Sequence, residues 1–562
     1  MRTLTCSLIA LLALACVNLA QDVPPPAKKL DAGDLLARYL KADGKPKTEL
    51  RKQLLELSAD DLSEAIRAWQ PAALEKTGVT EWETVCPDGN KRPYWVYVPE
   101  AYDSTKRYPL LVCLHGAVSG QPMHGDEGNP SAGEYSIQYW LPNLTAEQKK
   151  EVVILGCSAG VPETGMESAW WALKGQHNVL HMITETKRRV SIDDSRVIVN
   201  GHSDGGSGSF GFAFRMPDTF AGFYAMNGNP LVPTVDGSPV WLENLKGSNI
   251  YCFNGGRDGL YPAKRVTPIY DQGNKLGADI KYTTYPKLTH SVGEVLEEEV
   301  SAFMTGPLTN WRRDLLPEEI DWACSDTARG SRAWLRIDEI ADLGGANSAP
   351  ANAEIAPPAS RPMLGVRMMQ NVDEPTVENV VKDSTAETMG IESGDIIKKL
   401  DDHSIASMQD LLDALDTKAA GDDVTIVVER NGEEKTLKGT FPKARRQQRD
   451  ENPTLVARVI AKLEKPGQIK LQVRNTKRVT IRVALSMLDA DGNLRVSLSV
   501  PKGELGIGLT KQFSVNKAML LEQFEGTADR SLPWIAEFEI EVGKLLGDKV
   551  KPAKPDQQED EF

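Results

Sequence analysis

Apolar residues near the start of the chain recur at helical spacing. Leu35, Leu36, Tyr39 and Leu40, then Leu50, Leu54 and Leu57, then Leu62, Ala65, Ile66 and Trp69 fall three and four apart, which predicts three short amphipathic helices ending at Pro71. From about Gly78 the period changes. Short β-rich runs alternate with helical stretches up to about Gly306: Tyr94 to Val98, Leu110 to Leu114, Val152 to Leu155, Val197 to Val199, Phe223 to Met226, Ile250 to Phe253 and Tyr282 to Tyr285. Strands alternating with helices predict an α/β unit on a mostly parallel sheet. Trp322 and the run Ala333 to Ile337 read as strands, and residues 362–442 as a compact mixed unit. Leu455 to Val542 reads as β, because Ile469, Leu471 and Val473 repeat with the two-residue period of a half-buried strand.

Segments without periodicity separate these blocks. Val23 to Lys29 is Pro-rich, Gly344 to Pro362 is rich in Ala, Pro, Asn and Ser, and Lys443 to Asn452 is a charged connector. The tail from Lys551 to Phe562 holds Asp556, Glu559, Asp560 and Glu561 and is expected to be disordered. The chain of 562 residues therefore divides into a leader (1–20), a linker (21–29), a helical region (30–76), the α/β unit (77–306), a β-domain in two parts (307–343 and 453–547), a linker (344–361), the mixed unit (362–442) and the tail (548–562). At about 150 residues per domain, three or four domains are expected.

The leader changes the picture of compartment. Arg2 precedes an apolar run from Leu8 to Val17, and Asn18-Leu19-Ala20 offers a small residue for cleavage, the pattern of a secretory signal. The protein is expected to be exported, periplasmic or extracellular. Acylation of Cys16 is the alternative, with Ala13 a weak fit to a lipoprotein signal. The run falls short of the roughly 20 residues that cross a bilayer, so no integral membrane segment is expected. Sixty-five Lys and Arg against 79 Asp and Glu leave a net charge of −14, which argues against nucleic acid or an anionic membrane as the main partner. Of the five cysteines that cleavage leaves, Cys113, Cys157 and Cys252 sit in or beside apolar strands and read as buried thiols, while pairing of Cys86 with Cys324 stays open. Neither a metal nor a cofactor is expected.

Gly-x-Ser-x-Gly occurs twice, as Gly156-Cys157-Ser158-Ala159-Gly160 and Gly201-His202-Ser203-Asp204-Gly205. A nucleophile elbow needs a strand, a sharp turn and a helix. Ser158 is followed by Val161-Pro162-Glu163-Thr164-Gly165, where proline and glycine oppose a helix. Ser203 follows the strand Arg196 to Asn200, and Phe210 to Phe214 supply a buried helix, so Ser203 is the candidate nucleophile. A serine hydroxyl needs a base, and the base an acid. Tyr282 to Tyr285 leads into a loop ending at His290, the candidate base. Ile250 to Phe253 leads into Asp258, the candidate acid, with Asp271 and Asp279 as substitutes. The order Ser, Asp, His is that of the α/β-hydrolase fold. His115, closing the strand Leu110 to Leu114, reads as structural. The loop it opens is expected to give one oxyanion N–H at Ala117, with the other at Asp204. Trp170 and Trp171 are candidates for lining a substrate pocket.

Over about residues 78–305 the chain resembles secreted esterases of the polyhydroxybutyrate-depolymerase and feruloyl-esterase type. The resemblance rests on Tyr94-Trp95-Val96-Tyr97-Val98-Pro99, Tyr108-Pro109-Leu110, Leu114-His115-Gly116, the Ser203 motif and the Asp258 and His290 loops. It implies an α/β-hydrolase sheet. Asp204 departs from it, since many relatives carry alanine there. Residues 362–442 resemble a PDZ domain: Met363-Leu364-Gly365-Val366 fits the carboxylate loop, Gly390 to Ile397 the strand-opening signature, Asp410 to Leu415 the groove helix and Val424 to Val428 a closing strand. Ser384 to Met389 departs from the usual proline-alanine turn. Such a groove takes C-terminal peptides by strand addition. The flanks of this unit are similar to the split C-terminal β-domain of some exported prolyl-oligopeptidase-like hydrolases, with Asp529-Arg530 and Trp534 to Phe538 in its last strand. In that resemblance the PDZ unit is an insertion.

The leading expectation is a serine carboxylesterase acting through an acyl-enzyme on an ester, free or polymeric. The alternatives are a serine peptidase of the prolyl-oligopeptidase type, for whose propeller the stretch Gln21 to Thr77 is too short, and a non-enzymatic adaptor working through its PDZ unit.

Overall fold

The computed structural model describes residues 31–118, 131–159, 165–235, 237–341, 363–369, 372, 374–415, 417–442, 455–500 and 503–546. The expected leader, the Pro-rich linker, residues 344–361, the charged connector and the acidic tail fall outside the described residues.

The first compact unit ends at Trp69 and is helical. Helices α1 (Ala32–Lys41), α2 (Gly44–Glu56) and α3 (Ala59–Ala68) bury Leu35, Leu36, Tyr39, Leu50, Leu54, Leu62, Ala65 and Ile66. Asp31 and Ser58 cap α1 and α3 by accepting from the Gly33 and Asp61 N–H groups at 2.9 and 3.0 Å.

The second unit is built on an eight-stranded sheet. Its strands are β1 (Gly78–Val85), β2 (Lys91–Val98), β3 (Tyr108–Leu114), β4 (Val153–Cys157), β5 (Ile192–His202), β6 (Gly222–Met226), β7 (Ile250–Gly255) and β8 (Ile280–Tyr285), in the order 1-2-4-3-5-6-7-8. Strand β2 runs antiparallel to both of its neighbours, β1 and β4, and β3 to β8 run parallel. Strand β1 was not among the expected runs, because its polar and apolar residues alternate half-buried and leave no apolar stretch. In β3, Leu110, Val112 and Leu114 join one hydrophobic core and Leu111 and Cys113 the other, so both faces are covered and the central strands read as continuous apolar runs. The fold is an α/β-hydrolase sheet followed by β-rich and PDZ-like parts.

Strand β9 (Glu319–Cys324), β10 (Ser331–Arg332) and β11 (Leu335–Ile340) come next. The PDZ-like unit holds β12 (Val366–Met368), β13 (Val377–Val380), β14 (Ile396–Leu400), β15 (His403–Ser404), β16 (Asp423–Arg430) and β17 (Glu433–Thr440) around its own core. Then β18 (Ala457–Lys465), β19 (Gln468–Arg474), β20 (Thr476–Ala484), β21 (Asn493–Val500), β22 (Gly503–Gln512) and β23 (Trp534–Glu541) complete the β-domain. Strand β18 pairs with β9, and β20 with β11, so strands from both sides of the PDZ-like unit share two sheets and one core. The two ends meet at Asn475: its carbonyl accepts from the Ala341 N–H (3.0 Å) and its side-chain amide donates to the Val456 carbonyl (2.9 Å).

Asp529 and Arg530 are not part of the last strand, which begins at Trp534. Both are buried and face the α/β unit. Asp529 takes the guanidinium of Arg313 at 2.6 Å and the ammonium of Lys187 at 3.5 Å, and Lys187 also meets Asp194 at 2.8 Å. Arg530 donates to Asp194 and to the Ile192 carbonyl. Charged groups are tolerated here because each has a partner of opposite sign. Burial alone would raise the Asp529 carboxyl, but Lys187 and Arg313 outweigh it and hold the group well below the usual carboxylate range. Cys86 and Cys324 are both free and buried, the first in the core of the α/β unit and the second in that of the β-domain, so the open pairing does not form.

Two outcomes follow from this packing. Asp529→Ala leaves Lys187 and Arg313 buried without it and is expected to cost about 3–5 kcal/mol in denaturant unfolding. Because the folded pKa lies below the unfolded one, the contribution of Asp529 is present above about pH 4 and is lost as pH falls below that value. Replacing residues 342–455 by a short Gly/Ser linker is expected to leave a folded β-domain with an unchanged near-UV spectrum apart from the lost segment, because its ends already meet at Asn475.

Candidate functional site

The three candidate triad residues sit at the C-terminal ends of β5, β7 and β8. Ser203 follows β5 directly and precedes a helix from Asp204 to Arg215. Its backbone lies at φ +59°, ψ −120°, a region that costs an ordinary residue about 1–3 kcal/mol. The turn is this tight because backbones crowd it. A Cβ on Gly205 would stand 1.9 Å from the Leu114 carbonyl oxygen, and one on Gly201 would stand 2.4 Å from Gly205. Only glycine fits either position.

Ser203 Oγ lies 2.8 Å from His290 Nε2, and His290 Nδ1 lies 3.0 and 2.9 Å from the two Asp258 oxygens. With Nδ1–H donating to the carboxylate, Nε2 is left to accept the serine proton. Asp258 is buried, and its Oδ1 also accepts the Leu260 and Tyr261 N–H groups at 2.8 and 2.9 Å, which fixes its orientation. The acid and base loops are tied to each other: Gly256 N–H donates to Tyr285 O and Arg257 N–H to Leu288 O. Asp271, one of the substitutes for the acid, instead accepts from the exposed Tyr282 hydroxyl, and Asp279 pairs with Lys281 at the surface.

The two expected oxyanion donors, Ala117 and Asp204, lie on the two segments next to Ser203. Asp204 is the first residue of its helix, where backbone N–H groups have no intrahelical acceptor. Ala117 takes a positive φ of 47° in a loop that runs against the elbow, since a Cβ on Gly116 would meet Ser203 Cβ at 3.2 Å. The Asp204 carboxylate accepts the Val118 N–H at 3.0 Å, so the residue that departs from the resembled esterases fastens the Ala117 loop to the elbow.

Other sequence candidates lie elsewhere. Ser158 is buried, with its hydroxyl unpaired among the described residues. His115 Nε2 accepts from the Ala159 N–H and its Nδ1–H donates to Gly116 O; burial brings its pKa down to about 4, which keeps it neutral and structural. Trp170 and Trp171 are corrected to core residues. Trp170 donates its indole N–H to His115 O and packs where a Cβ on Gly208 would touch it, so the pair fills space behind the nucleophile's helix.

His202 and Tyr261 were passed over in the sequence. Tyr139 donates its hydroxyl to His202 Nδ1 (3.1 Å), and His202 Nε2–H donates to His290 O (2.6 Å). Burial, aided by His290, takes the His202 pKa down to about 4, so it stays neutral and keeps this tautomer. Tyr261 stands edge-on to the His290 ring, centroids 5.9 Å apart. His202 lies inside the Gly-x-Ser-x-Gly motif, but nothing in the motif says what its ring meets.

In the PDZ-like unit Leu364 is buried, Met363 is 80% exposed, and Gly365 has φ +86°, with its carbonyl accepting the Val381 N–H. Val366 opens β12. The helix Met408–Leu415 lies beside the loop of the acid: a Cβ on Gly259 would come within 2.7 Å of Leu412 Cδ1, and Asp413 pairs with Lys264 at 3.5 Å.

Among the described residues no helix is long and apolar enough to cross a membrane. No curated protein matches the chain. Solved structures similar to it include a thermostable esterase, at 19% identity and TM-score 0.33, over 42% of this chain and 63% of that one. An acylaminoacyl peptidase of Pyrococcus horikoshii aligns at 14% identity and TM-score 0.33, over 43% and 42%. FphF, a fluorophosphonate-binding serine hydrolase of Staphylococcus aureus, aligns at 12% and TM-score 0.31, over 41% and 99%. The chain thus spans less than two thirds of the first two. Residues 362–439 match the family model of the PDZ domain.

Proposed function

We propose that the chain is an exported serine hydrolase that cleaves carboxylic esters through an acyl-enzyme. The observation that carries this reading is the unbroken hydrogen-bonded line from Ser203 through His290 to Asp258 at a strained strand-to-helix turn. His290 Nε2 takes the Ser203 proton as Oγ attacks the acyl carbon, and Asp258 holds the tautomer and faces the imidazolium that forms. The N–H groups of Ala117 and Asp204 receive the oxyanion. His290 then protonates the departing alkoxide, a water on the same base attacks the acyl-enzyme, and the acid leaves. The PDZ domain holds a polypeptide C-terminus. Its helix touching the Asp258 loop supports a second reading of the substrate, in which the acyl bond is carried on a polypeptide.

A fluorophosphonate is expected to label Ser203, with labelling lost in Ser203→Ala and kept in Ser158→Ala. On a panel of acetyl, feruloyl, hydroxybutyryl and peptide substrates, hydrolysis of peptides alone would refute the ester assignment, and absence of labelling would refute the hydrolase. Asp258→Asn is expected to lower kcat by about four orders of magnitude with KM nearly constant.

Asp204→Ala frees the Ala117 loop and is expected to cost about 10²-fold in kcat, whereas Asp204→Asn, which keeps an acceptor for Val118, is expected to cost far less. Steady-state kinetics of the pair on one chromogenic ester checks this.

Calorimetric titration of the full chain with apolar C-terminal peptides is expected to show binding that amidation abolishes, because Met363 to Val366 present backbone N–H groups to the carboxylate. Equal affinity for the amide would remove that assignment.

A further inference from the structure

Ser203, Asp258 and His290 stand on three separate loops; one buried side chain with no part in the proposed chemistry joins the last two, and the carbonyl of the residue before it holds the first. Asn227 follows β6, wholly buried. The residue before it, Met226, accepts the Ser203 N–H on its carbonyl at 3.0 Å, and the Asn227 N–H donates to Phe253 O at 2.8 Å. Asn227 Oδ1 accepts the Gly255 N–H at 2.9 Å, three residues before Asp258. Its Nδ2 donates at 3.0 Å to both Thr289 O and His290 O. Both amide hydrogens and an oxygen lone pair are therefore used.

The backbone sets a further condition. Asn227 has φ +44°, a left-handed conformation that asparagine tolerates and most residues do not. Aspartate would keep the shape and the acceptor without the donors, glycine the backbone without either, and glutamine would be a methylene too long. The same His290 carbonyl also takes the His202 Nε2–H, so two side chains converge on the main chain of the base.

Resting on the reading of Ser203, His290 and Asp258 as a triad, we propose that Asn227 is the positioning residue that keeps the His290 imidazole in line between Asp258 and Ser203. It acts through His290, since its donors end on that residue's carbonyl and the one before it. Misplacement of a reacting group by about 1 Å is enough to lower rate by about 10²-fold.

The test uses the full chain. Asn227→Gly keeps the left-handed turn and removes the side chain, and Asn227→Asp removes the donors and sets a carboxyl oxygen against the two carbonyls they had met. With a soluble chromogenic ester, both are expected to lower kcat by about 10²-fold with KM within about twofold, at unchanged far-UV circular dichroism. In a His290→Ala background, Asn227→Gly is expected to leave the residual rate unchanged, because the group it positions is gone. An equal loss in both backgrounds, or a kcat per labelled Ser203 equal to that of the wild type, would overturn the proposal and leave Asn227 a structural residue. A readout independent of turnover is the downfield proton resonance of the His290 Nδ1–H shared with Asp258. It is expected to disappear in Asn227→Gly and to persist in Ser203→Ala. A resonance that Asn227→Gly leaves unchanged, or one missing from the wild type, overturns the positioning role, whereas failure of fluorophosphonate labelling alone counts against the hydrolase reading.

Discussion

The φ of +59° at Ser203 is the constraint on which the rest of the site depends. A residue in that region returns to ordinary backbone unless its surroundings prevent it. Here they do so by contact: Gly201, Gly205 and the Leu114 carbonyl are packed so closely that no Cβ can enter. The strain lifts the hydroxyl clear of β5 and brings it to His290. It also starts the next helix at Asp204, whose carboxylate ties down the Ala117 loop. A single unfavourable backbone angle thus sets the place of the hydroxyl and the imidazole it meets.

Around this point the protein uses two kinds of attachment. The β-domain is joined to the α/β unit by buried charges, with Lys187, Asp194, Arg313, Asp529 and Arg530 paired among themselves, and by Asn244, which exchanges two hydrogen bonds with Ala323. Removing one partner leaves another charge buried without its counterion, so these pairs are costly to break. The PDZ domain instead leaves and re-enters the β-domain at Asn475 and meets the α/β unit through an exposed ion pair and Leu412. Exposed pairs of that kind contribute little to holding a domain in place.

Legibility in the sequence followed the range of the interaction. The three N-terminal helices and the parallel strands could be read because burial on one stripe or on both faces writes a period into neighbouring residues, as in Leu110 to Leu114. Strand β1 could not, because a half-buried edge strand of alternating exposure carries little apolar signal. The elbow was readable because its strain demands glycines at fixed offsets from Ser203. The paired tryptophans misled for a related reason: an aromatic pair after a loop has the same local pattern in a pocket wall and in a core, and only the packing of Trp170 against Gly208 and His115 separates the two.

By itself the sequence determined the strongly periodic elements, which serine can occupy a strained turn, and the chain order of the candidate nucleophile, acid and base. All of these are local properties, written within a few residues by steric and hydrophobic patterning. What only the tertiary structure decided is which groups meet across elements: His202 and Asn227 on the His290 carbonyl, Asp204 on Val118, Asp529 on Lys187 and Arg313, and β11 with β20 across an inserted domain. Hydrogen bonds and ion pairs are satisfied by proximity in space and impose no spacing along the chain, so their partners become visible only when the sheet has brought the loops together.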